Sequence, residues 1–182
     1  MAYSRWRGKW WALLLGLAAP SLGGCGFHPM YAAARSGEAG PAAIGLAEVT
    51  VGQIPDRPGQ LLHLALQERF ERSGLAEAHQ YDLNVTFSIS GEAIAFQQDT
   101  SNTRMRMVGT ATYQLIAQDP SRSTLTSGTA RSVDGLDMFD QQMLAAALET
   151  EVVQRRVAEQ VADEITQQLA IYFDRQAALA AR

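Results

Sequence analysis

Arg104 and Arg106, two arginines separated by a single residue, are the side chains in this sequence best placed to do chemistry. In an extended segment, residues two apart project to the same side. Thr103 to Ala117 reads as such a segment: Met105, Met107, Ala111, Tyr113 and Leu115 share one face, and Arg104, Arg106, Thr110, Thr112 and Gln114 share the other. Two guanidinium groups there, joined by Arg131 from a neighbouring strand, would make a small cationic patch. Such a patch could hold phosphate or carboxylate groups through charge-assisted, bidentate hydrogen bonds. The plainer reading has these arginines solvated and paired with Asp82 or Asp99, at little energetic value.

No other residue set carries as much chemistry. His28, His63 and His79 are far apart and lack metal-ligand spacing. A single cysteine, Cys25, rules out an internal disulfide and a cysteine-rich metal site. There is no glycine-rich phosphate loop and no G-x-S-x-G. The carboxylates are spread along helical segments as solvated charge. The expectation is a protein that is not an enzyme and that needs no cofactor and no metal.

Cys25 stands in a context of its own. Arg5, Arg7 and Lys9 precede an apolar run from Trp10 to Leu22, and Gly23 and Gly24 lead into the cysteine. Basic, then apolar, then small, then cysteine resembles a bacterial lipoprotein signal sequence, in which the peptide is cut before a cysteine that becomes lipidated. The run contains Pro20 and is shorter than the roughly 20 residues a transmembrane helix needs. The division expected is therefore residues 1–24 as signal peptide, 25–43 as a lipidated tether, 44–176 as one α+β domain and 177–182 as a tail. Without the three basic residues of the signal, the formal charge of −4 becomes three units more negative. Free nucleic acid is then an unsuitable partner, because a phosphate backbone calls for a basic face.

The elements that must position the arginines follow from periodicity. Ile44 to Ile54 alternates enough for a strand, through Leu46, Val49 and Val51. Asp56 and Pro58 then suit the start of a helix running to about Ser73, with Leu62, Leu66 and Phe70 on one face and Gly74 as a stop. Tyr81, Leu83, Val85, Phe87 and Ile89 alternate with polar residues in the clearest strand, and the apolar phase slips at Gly91, as at a bulge or bend. Gln97 to Asn102 makes a hairpin loop, Asp119 to Arg122 a second turn, and Ser123 to Val133 a third strand. Gln141 to Gln176 lacks Gly and Pro and carries an apolar stripe including Leu144, Leu148, Val152, Val161, Ile165 and Leu169. The expected fold is β-α-β-β-β-α, with two helices packed on one face of a four-stranded mixed sheet. The other face, rich in Ser and Thr, is left for water or a partner.

Several of these stretches resemble one family. Leu22-Gly23-Gly24-Cys25-Gly26-Phe27-His28-Pro29-Met30-Tyr31 is similar to the start of the mature lipopolysaccharide-assembly lipoprotein LptE. The likeness continues in Tyr81-Asp82-Leu83-Asn84-Val85, in the hairpin around Asp99 to Arg106, in Ala111-Thr112-Tyr113-Gln114-Leu115 and in Ala158 to Leu169. The resemblance implies an outer-membrane lipoprotein on the periplasmic side, anchored through Cys25. It would plug and help assemble an LptD-type β-barrel and assist lipopolysaccharide insertion into the outer leaflet. Gly26 after the cysteine agrees with the outer-membrane sorting that the family implies. Some family members carry a basic residue in the hairpin loop, where this chain reads Gln97-Gln98-Asp99. The resemblance thus assigns no lipopolysaccharide contact, and Arg104, Arg106 and Arg131 are candidates on charge and strand phase alone. The alternative function is an auxiliary periplasmic lipoprotein of another lipid-trafficking transporter.

Overall fold

A computed structural model of the chain describes residues 39–71, 78–96, 102–137 and 143–182. Cys25 with its signal segment, the aromatic cluster Phe27 to Tyr31, Gly74, and Asp99 in the hairpin loop lie outside them. The elements in chain order are α1 (Pro41–Ala47), β1 (Val49–Val51), α2 (Asp56–Glu71), β2 (Tyr81–Phe96), β3 (Asn102–Ala117), β4 (Thr124–Asp137) and α3 (Met143–Ala180).

The strands form one sheet in the order β1-β2-β3-β4. β1 pairs parallel to β2 with Val49 beside Tyr81. β2 to β4 make an antiparallel meander with Leu83 beside Leu115 and Ala111 beside Ala130. The expected α+β class with a mixed four-stranded sheet is what the chain adopts.

One expected element is wrong. Most of the segment from Ile44 to Ile54 is not a strand. Pro41–Ala47 is a helix, and only Val49–Val51 pairs with the sheet. Pro41 at the first helical position fits the helix start, since its missing N–H needs no partner there. The helix buries Ala42, Gly45, Leu46 and Ala47, a spacing that fits a short helix and that Leu46 alone does not reveal. Among the described residues three helices therefore stand over the sheet where two were expected, and the first takes up residues 41–43 that looked like tether. The irregularity expected at Gly91 falls slightly later, with register shifts between Ala93 and Ala95 and between Ala95 and Phe96.

α2 begins at Asp56, whose φ of 65° lies in the left-handed region that aspartate tolerates better than most residues. It packs Leu62, Ala65, Leu66 and Phe70 inward. Arg57 reaches Glu151 of α3 at 3.0 Å, and Arg69 Nε reaches Asp163 at 2.6 Å. Both pairs span twelve residues, about 18 Å of helix on each side, so α2 and α3 run parallel. α3 supplies Val161, Ile165 and Leu169, all fully buried, against Leu83, Ala111, Tyr113 and Leu115. Each such side chain removed from water is worth about 1.5–3 kcal/mol.

A second, smaller cluster joins Val153 and Val157 to Met107, Phe87, Ile89 and Met105. The two methionines are thus packing residues, as their inward phase implied. Gly109 sits at the join, where a Cβ would run into Val157 Cγ1 and lie 3.2 Å from the Phe87 ring. Its lack of a side chain lets α3 lie close to β3. Gly109→Ala is expected to lower unfolding stability by about 1–3 kcal/mol through overpacking. Adding Val157→Ala should recover part of the loss, both read by urea denaturation.

Candidate functional site

The alternation that faces Leu83, Val85, Ala111, Tyr113, Leu115 and Ala130 into the core turns a second set of residues the other way. Across β2, β3 and β4 the successive rows on that outer side are Asn84-Gln114-Ser127, Thr86-Thr112-Thr129, Ser88-Thr110-Arg131, Ser90-Val108-Val133 and Glu92-Arg106-Gly135. Apart from Val108, which is buried, and Thr110, which is half-buried, every residue of these rows is exposed. The result is a hydroxyl- and amide-rich face three strands wide, crossed by one aliphatic row at Val108 and Val133.

Register decides how the candidate arginines relate. Arg106 lies opposite Glu92 on β2, and Arg131 lies opposite Thr110 on β3. Arg106 and Arg131 are therefore four residues apart along the strands, or about 13 Å. Arg104 holds the strand position opposite Ala95 and Asp137. Arg106 and Arg131 share the outer face, but the register does not gather them into one tight cluster.

Arg106 is also not free. Its guanidinium is bonded to Glu92, with Nε 3.2 Å from Oε2, and the two side chains stay 44% and 48% exposed. The expected partners were Asp82 or Asp99. Instead Asp82 accepts hydrogen bonds from Gln118 at 2.7 Å and Arg122 at 3.0 Å, at the opposite end of the sheet. Hairpin register places Glu92, not Asp82, across from Arg106, a fact that composition and strand phase do not reveal.

The Arg106 hydrogen bond and charge, with a smaller contribution from Arg131, hold the Glu92 carboxyl below its ordinary value. Glu92 therefore sits within the field of both arginines and offsets part of their charge. At such exposure the ion pair is worth little, and an incoming phosphate can compete for Arg106. At the far turn, Asp119 is likewise held low, chiefly by the Ser121 hydroxyl at 2.7 Å and also by the Arg122 backbone N–H at 2.9 Å.

Several other polar side chains of the described residues have structural partners of their own, as at His63. His63 Nδ1 donates to the Gly52 carbonyl at 3.1 Å, which fixes its proton on that nitrogen and gives it a structural task. Among the described residues, no group of three His, Cys, Asp or Glu could hold a metal ion. No helix among them is long and apolar enough to cross a membrane. A shallow groove of about 280 Å³ between α2 and α3 is lined by Arg57, Leu61, Leu64, Glu68, Arg155 and Glu159. Just beyond it, Leu148 and Val152 are 63% and 54% exposed on α3.

Fold and surface together define a small α+β domain, a helix-backed sheet that presents one broad polar face. The chain belongs to the LptE family of lipopolysaccharide assembly, which matches residues 46–169. No curated protein sequence matches it closely enough to count as a relative. Among solved structures, a lipoprotein from Caulobacter crescentus CB15 is similar at a TM-score of 0.60 and 19% identity, over 72% of this chain and 95% of that one. Rare lipoprotein B from Shewanella oneidensis follows at 0.52 and 13%, over 67% and 91%. A minor lipoprotein from Acinetobacter baumannii gives 0.51 and 14%, over 69% and 92%. At these identities the structures speak for the fold.

Because the Arg106 pairing favours the ionised form of Glu92, its contribution stands above the ordinary glutamate value of 4.5 and fades as pH falls below it. An NMR titration of the Glu92 carboxyl carbon is expected to show a midpoint below 4.5, returning towards it in Arg106→Gln.

Proposed function

We propose that this protein is an outer-membrane lipoprotein, anchored through Cys25, that plugs and helps assemble an LptD-type β-barrel and assists insertion of lipopolysaccharide into the outer leaflet. Membership of the LptE family, over residues 46–169, is the observation that carries this reading. The open sheet face supports it on physical grounds. A sheet with one face packed and one face polar is stable in water, and the same polar face suits the hydrophilic interior of a large barrel. The anchor asks nothing of the domain, since acyl chains contribute about 0.8 kcal/mol per buried methylene. The role is one of binding and assembly, not of catalysis.

Within this reading Arg104, Arg106 and Arg131 are the proposed contacts for the phosphate groups of lipopolysaccharide. They share a face by strand phase, and arginine suits phosphate through its planar fork of donors.

A photo-crosslinking residue at position 102, at the start of β3 beside the hairpin tip, tests the barrel partnership in intact cells. Capture of one large outer-membrane β-barrel is expected. Its absence, or capture of inner-membrane transporter components instead, would overturn the reading. Separately, Arg104→Glu with Arg106→Glu is expected to weaken lipopolysaccharide binding by the purified protein roughly tenfold, with an unchanged circular dichroism spectrum. Equal binding by the folded double variant removes the patch.

A further inference from the structure

β4 is the outer strand of the sheet, fourteen residues long and without a proline or lysine. Such an edge is a template on which another strand can add. Two side chains meet it there. Gln168 of α3 donates from Nε2 to the Thr129 carbonyl at 3.2 Å, and Asp134 Oδ1 accepts the Gly135 N–H at 2.8 Å. A ladder group bonded to a side chain points away from β3. Thr129 and Gly135 are six residues apart and so share strand phase. Arg131 and Val133, between them, turn their backbone groups the same way.

The two contacts belong to a longer polar seam. Arg156, Gln160, Glu164 and Gln168 recur every four residues along α3. Arg156 Nε lies 2.9 Å from Asp134 Oδ2, Gln160 meets the Ser132 hydroxyl, and Gln168 is held by Glu164 at 2.7 Å and by the Tyr113 hydroxyl at 2.7 Å. Gly128 leaves the room for this, because a Cβ there would stand 2.7 Å from the Tyr113 hydroxyl and 2.8 Å from Gln168 Oε1. The seam therefore fixes both side chains that sit on the edge.

We propose that Gln168 and Asp134 guard the outer edge of β4, occupying two of its outward ladder groups so that a second copy of this chain cannot add to the sheet there. The edge is self-complementary without them. An antiparallel pairing of two β4 edges centred on Ser132 brings position 129 of each copy opposite 135 of the other. It also brings position 131 of each copy opposite 133 of the other. In that register the Thr129 carbonyl and the Gly135 N–H, the two groups that Gln168 and Asp134 occupy, would be each other's partners across the pair.

The test is sedimentation velocity on the full chain in density-matched detergent. The wild type is expected to be monomeric, and Gln168→Met with Asp134→Ala to tighten self-association by at least about tenfold. Val133→Pro in that background removes an outward N–H without touching the pairing to β3, and is expected to restore the monomer. A folded double variant that stays as monomeric as wild type overturns the proposal. So does association that persists after Val133→Pro, which would mark misfolding in place of edge pairing. Each single substitution, expected to act in the same direction by a smaller factor, reads the guard should the double variant lose its helical circular dichroism; no shift in either overturns it.

Discussion

The close approach of α3 to the sheet is the contact on which the rest of the molecule depends. Val157, Val161, Ile165 and Leu169 are fully buried. The helix that carries them reaches across β3 at Gly109 and along β4 through its polar seam. α2 is then positioned from α3, parallel to it, by paired contacts at Glu151 and Asp163. α1 closes the same layer where Gly45 meets the Phe173 ring. Among the described residues every helix is drawn to one side, and none of them covers the opposite face of β2 to β4. The wet face is thus a consequence of how the apolar side is packed.

The strands and the two longer helices were legible because each has a period. Tyr81 to Ile89 alternates without a break, and the stripe through Leu62, Leu66 and Phe70 repeats every four residues. Pro41–Ala47 was not legible, because two turns of helix made of small residues leave a pattern that a short strand can imitate. There the proline at the helix start and the pocket around Phe173 decide, and only the first is visible in the sequence. The arginine candidates show a different limit. Strand phase correctly places Arg106 and Arg131 on the outer face, but phase carries no register. Only the hairpin alignment reveals that Glu92 faces Arg106 and that Arg131 stands four residues further along.

That alignment changes what the outer face can bind. Three unopposed arginines would make a local positive field. Two arginines with a glutamate within their field make a weaker one, and their reach is set by competition. An exposed ion pair contributes little to folding, so its disruption costs the domain little. A ligand with several phosphates can therefore recruit Arg106 without paying in stability, whereas a singly charged carboxylate gains small advantage over Glu92. Within the proposed function, that geometry suits a multiply charged, phosphate-bearing partner better than a simple acid.

The long axis of the sheet separates the two ends of the molecule. Tyr81, at the start of β2, stacks its ring 5.3 Å from that of Phe173, close to where α1 enters. From Tyr81 to Phe96 the strand is sixteen residues long, about 50 Å, and β3 returns over the same distance. The N-terminal segment joins the domain at one end and the β2–β3 hairpin tip lies at the other. If the chain is held to a membrane through its N-terminal segment, the strands act as a spacer that carries the tip, with Arg104 and Arg106 near it, away from the point of attachment. A hairpin needs support over that length, since two strands alone are marginal in water. β4 and the Val153–Val157 cluster of α3 supply it, reaching to Met105 on the inner face. The second small core therefore ties α3 to the hairpin as far as Met105, which pairs with Ala93 where the register shifts begin.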